Sequence, residues 1–194
     1  MMWLRKILLQ TLESLQRRLP PSAQVAAVFS FVLFLAAGYS IYSFFFNLPS
    51  SLYYFNTFEI ISVFSYIMFF DLFESLLVTA VLAAVSAFLP GKWFREGFVY
   101  KAVLVTLALA AGSILLQNAM LMNNVPPLRQ VAEGVLILAL VCAVLILLFQ
   151  KILILQKTFV NIIERFEIFA YIYIPLGVIG SIIVLIRNLF QWQR

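Results

Sequence analysis

A chain of 194 residues that is 64% hydrophobic and 11% charged is not a soluble domain, in which about 25% of residues carry charge; it reads as an integral membrane protein. The absence of histidine removes serine–histidine dyads, HExxH zinc sites and bis-histidine haem from consideration. At about 20 apolar residues per spanning helix, the length holds one bundle and leaves no room for a soluble catalytic domain as well.

Residues 1–21 are expected to form an amphipathic interfacial helix. Trp3, Leu4, Ile7, Leu8, Leu12, Leu15 and Leu19 recur at helical spacing opposite Arg5, Lys6, Gln10, Glu13, Arg17 and Arg18. Its longest apolar run, Ile7 to Leu9, is too short for a signal peptide. Residues 22–194 then read as a single all-α transmembrane domain of about five spans, over roughly 22–46, 58–89, 98–120, 131–149 and 168–186.

Punctuation supports these limits. Pro20 and Pro21 end the first helix and pre-set the second, Pro49 marks the first connection, and Pro90 with Gly91 stops the second span. Lys92, Trp93, Arg95 and Lys101 form a basic and aromatic turn of the kind a membrane interface favours. Asn123, Asn124, Pro126 and Pro127 make the next turn. Residues of about 150–167 place Ile152, Leu155, Phe159, Ile162, Ile163 and Phe166 on one side, which predicts a cytoplasmic surface helix between the fourth and fifth spans. Pro175 is expected to kink the last span.

Ten basic residues fall on the side of the amino terminus, and only Arg129, Arg187 and Arg194 on the other. The amino terminus is therefore expected in the cytoplasm and the carboxyl terminus outside. With no N-x-(S/T) sequon and no lipidation motif, a bacterial inner (plasma) membrane fits. The +5 charge follows from this topology and gives no reason to expect nucleic acid.

Asp71 and Glu74 interrupt the apolar run from Phe58 to Leu89. An ionisable group inside a spanning helix is a functional-site hypothesis by default. Anchoring the run on Lys92 and Trp93 puts both acids towards its outer end. The same ruler brings Tyr39, Ser40, Tyr42, Ser43, Gln117, Asn118, Arg187 and Asn188 to one height, with Arg129 and Glu133 opening the fourth span. A step of 100° per residue sets Glu74, Ser75, Thr79 and Ser86 within about 80° of Asp71. The candidate polar, ion-binding layer is thus Asp71, Glu74, Ser75, Thr79, Gln117, Asn118, Arg129, Glu133 and Arg187.

Two roles are open to the acids. They pair with Arg187, Arg129, Gln117 or Asn118 and lock the bundle, or they bind a cation, a proton or a polar headgroup. No catalytic residue, cofactor or metal site is expected: no GxxxxGK(S/T) or GxGxxG loop is present, and Cys142 sits in an apolar run as a small packing residue.

The balance is against an enzyme. The first expectation is a non-enzymatic subunit or interaction partner in a larger membrane assembly. The alternative is a transporter or channel-like oligomer using the acidic pair, and the third is an enzyme on a lipid-linked substrate. The partners are the lipid bilayer and either a second copy or another membrane protein.

Overall fold

The computed structural model describes residues 19–88, 94, 96–121 and 128–191. The amphipathic helix expected before residue 19 lies outside the described residues, as do Lys92, Trp93 and the Asn123–Pro127 turn. The fold is all-helical, without strands among the described residues. Its helices are α1 (Ser22–Tyr54), α2 (Thr57–Phe88), α3 (Phe98–Leu121), α4 (Leu128–Lys151), α5 (Leu153–Glu164) and α6 (Glu167–Gln191). Five stretches are long and apolar enough to cross a membrane: α1, α2, most of α3, most of α4, and Leu153–Leu189, which takes in α5 and α6.

α1 runs eight residues beyond its expected end, through Pro49. A proline removes one backbone donor and crowds the preceding turn. Side chains on either side of Pro49 bond to main-chain carbonyls: Asn47 Nδ2 donates to the Ser43 carbonyl at 2.8 Å, and the Ser50 and Ser51 hydroxyls donate to the Asn47 carbonyl at 2.8 and 3.0 Å. The helix stops at Phe55, which is extended. Asn56 then caps α2 reciprocally: the Glu59 N–H donates to Asn56 Oδ1 at 3.0 Å, and the Asn56 N–H donates to Glu59 Oε2 at 2.9 Å. α6 continues unbroken through Pro175.

The described residues form two compact units. One comprises Pro21–Val85 and the chain from Glu164 onward, and the other is Ser86–Ile163. In the first, α1, α2 and α6 share a core of Leu33, Ala37, Met68, Ala170 and Tyr173. Small residues allow close approach, as helix association in an apolar medium requires. A Cβ at Gly180 would stand 3.0 Å from the Ser65 carbonyl oxygen, and one at Gly177 would overlap the Leu72 side chain. Edge-to-face contacts from Phe31 and Phe34 to Phe166 and Phe169 close the end where α6 begins.

In the second unit α3 packs on α4. Tyr100, Leu104 and Cys142 form the core, and Phe159 and Val160 of α5 pack against it. The phenyl ring of Phe149 stacks on Tyr100 at 6.2 Å and meets Phe159 edge-on at 5.1 Å. The face expected on the surface helix is partly realised: Ile163 is buried and Phe159 packed, whereas Ile152, Leu155 and Ile162 are exposed.

Lys101, grouped above with an interfacial cluster, is buried, and its Nζ donates to the Glu96 carbonyl at 2.6 Å. Gly97 makes this turn with φ +77°, and the Tyr100 ring occupies the place of a Cβ. Gly97→Ala is expected to cost about 2–3 kcal/mol from left-handed strain together with displacement of that ring. A lowered unfolding midpoint in detergent checks this, with Gly38→Ala as the control, because no atom lies within 4 Å of a Cβ built there.

Candidate functional site

α2 presents a helical stripe of buried residues: Ser62, Ser65, Met68, Asp71, Ser75, Thr79, Leu82 and Ser86. Its spacing of three and four is that of an interface seam, yet five of these positions are hydroxyls and one is a carboxylate. Asp71 is only 4% exposed, which requires partners for its oxygens. Ser40 of α1 donates to Oδ1 at 2.7 Å, and the Tyr173 hydroxyl of α6 donates to Oδ2 at 2.8 Å. One carboxyl group thereby joins three helices. Ser75 lies one turn on and donates to the Asp71 main-chain carbonyl at 2.6 Å. Thr79 Oγ1 and Ser86 Oγ are buried without a hydrogen-bond partner among the described residues.

Neither arginine named above pairs with Asp71. Arg187 donates Nη1 to Ser62 Oγ and stands over the Tyr66 ring at 5.7 Å, while the Tyr66 hydroxyl donates to Asn188 Oδ1 at 2.6 Å. Along α2, Ser62 and Asp71 are nine residues apart, or about 13 Å at 1.5 Å per residue. The polar residues of this unit thus occupy two levels, an Asp71–Ser40–Tyr173 cluster and a Ser62–Tyr66–Arg187–Asn188 cluster, where the ruler counted from the helix ends placed one.

Glu74 behaves unlike Asp71. It is exposed, between the exposed Phe73 and Leu77, and makes no hydrogen bond or ion pair with a described residue. The exposed Phe70 and Phe73 are the aromatic residues nearest it on the helix surface, and each ring stacks on one four residues earlier, Tyr66 at 6.5 Å and Phe69 at 6.4 Å. α2 has 32 residues, more than hydrocarbon requires, but every window of about 20 within it contains both acids. Sliding the helix along the membrane normal therefore leaves both inside.

The remaining candidates lie in the other unit. Arg129 Nε meets Glu133 Oε1 at 2.9 Å, but with side chains 89% and 58% exposed this is a surface pair worth roughly 0–1 kcal/mol. Gln117 is exposed, and the Asn118 side chain lies outside the described residues. No group of three metal-ligating side chains occurs among the described residues.

Ser62, Tyr66 and Tyr173 are the site residues that the sequence reading missed. The signal for Tyr173 was the seam running into and along α6: Phe166, Ala170, Tyr173, Gly177, Gly180, Val184 and Arg187 alternate steps of four and three. Comparison of the chain with protein-family models, with curated proteins and with solved structures finds no match in any of the three.

Proposed function

We propose that this chain is a membrane-embedded, non-enzymatic subunit that binds another membrane polypeptide through the outward face of α2. The observation that carries the reading is Glu74, a carboxylate exposed on an apolar helix in every spanning window available to it. An acidic side chain in a spanning helix is costly, up to about 2.5–3.5 kcal/mol where it sits at the helix centre and less towards the ends, and such groups face protein or water rather than lipid. A neighbouring helix that brings a hydrogen-bond donor or a cation to Glu74 removes that cost. The stacked aromatic rings beside Glu74 give the contact a broad apolar flank. In this reading the excess of basic residues on one side puts the amino terminus in the cytoplasm of a bacterial inner membrane.

A transporter would need the same acids open to an aqueous path. Asp71 instead is buried and has both oxygens hydrogen-bonded within one unit, which favours a structural part for it. Glu74→Leu is expected to leave the fold intact and weaken the assembly about ten- to a hundredfold, the worth of one hydrogen bond to a charged group. Sedimentation after gentle solubilisation reads this directly: the wild-type chain runs in a complex well above its 22.1 kDa, and the variant runs alone. A wild-type chain that sediments as a monomer at its native level, indistinguishable from the variant, overturns the proposal.

A further inference from the structure

Away from the Glu74 face, Arg187 and Glu59 line one groove of about 450 Å³ where α2 begins and α6 ends, flanked by Ile61, Ile183 and Ile186. Arg187 is held from the α2 side by the Ser62 hydroxyl and the Tyr66 ring. A guanidinium has five N–H donors and Ser62 takes one. Arg187 makes no ion pair with a described carboxylate. Glu59 Oε2 accepts the Asn56 N–H in the helix cap, which fixes the carboxylate at the groove. Glu59 and Ser62 are three residues apart and so neighbours on one helix face. The Glu59 Cα and the Ser62 Cα that marks the Arg187 level are ~4.5 Å apart along the helix, so a cation and an anion line one groove without forming an ion pair with each other.

This pattern of charge complements a zwitterion better than an anion. We propose that the groove seats the headgroup of a phospholipid bearing a primary ammonium, with its phosphate on Arg187, its ammonium on Glu59 and an acyl chain along Ile183 and Ile186. Arginine meets phosphate through parallel N–H donors, a strong and directional pairing. The Glu59 carboxylate then selects the ammonium headgroup over a glycerol headgroup, which brings no positive charge. The site is independent of the docking face on α2, and either one stands without the other.

The test is native mass spectrometry of the full chain, delipidated in detergent and titrated separately with phosphatidylethanolamine, phosphatidylglycerol and inorganic phosphate. The wild-type chain is expected to retain phosphatidylethanolamine about tenfold more strongly than phosphatidylglycerol, as one charge-assisted pair predicts. Glu59→Gln keeps the helix cap, because a glutamine oxygen accepts the same Asn56 N–H, and it abolishes the preference while phospholipid is still retained. Arg187→Gln weakens retention of both lipids. Equal retention of the two lipids by the wild-type chain, a preference that survives Glu59→Gln, or displacement of lipid by inorganic phosphate would each overturn the assignment.

Discussion

Asp71→Ala is expected to lower the unfolding free energy by about 3–5 kcal/mol. The two hydrogen bonds to its carboxyl group come from different helices, Ser40 on α1 and Tyr173 on α6. Removing the acceptor leaves both hydroxyls without it, one of them on a tyrosine that is 2% exposed. An unsatisfied buried group costs about 1–3 kcal/mol in addition to the lost bond. Asp71→Asn keeps one carbonyl acceptor and should lose about half as much, and Tyr173→Phe, which removes one donor together with its need for a partner, about 1–2 kcal/mol. Reversible unfolding in mixed micelles ranks the three. If Asp71→Ala were no worse than Tyr173→Phe, the carboxyl group would not be what joins α1 to α6.

The second large effect is expected at the α2–α6 crossing. Gly180→Leu should cost about 3 kcal/mol or more, because the added side chain must push two backbones apart. Its first carbon already meets the Ser65 carbonyl oxygen at 3.0 Å, and main chain yields less readily than a side-chain tip. At Gly177 the obstacle is the Leu72 side chain, which can change rotamer. Gly177→Ala should therefore cost about 1 kcal/mol and Gly180→Ala more, and the difference between these matched alanine variants reports backbone contact specifically. Separating the helices also stretches the Tyr173–Asp71 bond, so Gly180→Leu combined with Asp71→Ala should lose less than the sum of the single changes. Full additivity in that cycle would show that the glycine contact and the carboxyl cluster are independent.

Much of the fold was legible because its signals are local. α1 begins at the expected residue since Pro21 sits immediately before it, and the helix after Gly97 starts at the expected Phe98, although the sequence reading did not use that glycine. The end of α1 was misread for a similar reason. Pro49 is a strong breaker in isolation, yet the helix runs through it, with the side chains of Asn47, Ser50 and Ser51 bonded to main-chain carbonyls of the neighbouring turns. Asp71 and its hydroxyl stripe follow from the helical step: Ser75, Thr79 and Ser86 are all buried on its side. The same step puts Glu74 on the opposite edge of that arc. Angle alone does not tell which edge meets a neighbour. Depth was harder still, because residue counts from helix ends assume a common starting level, whereas the contacts from Arg187 to Ser62 and from Tyr173 to Asp71 set the register.

Buried Asp71 and exposed Glu74, one turn apart on α2, therefore carry different duties in this account: one holds the unit together and the other meets a partner. Site-specific photocrosslinking in native membranes separates these duties most directly. A photoreactive residue is placed in turn at the exposed Phe70, Phe73 and Leu77 of α2, leaving Glu74 in place, and, as a control, at the exposed Ile182 and Leu185 of α6. The account predicts one discrete polypeptide adduct from all three α2 positions and only lipid adducts from α6. Lipid adducts alone from both helices would contradict it.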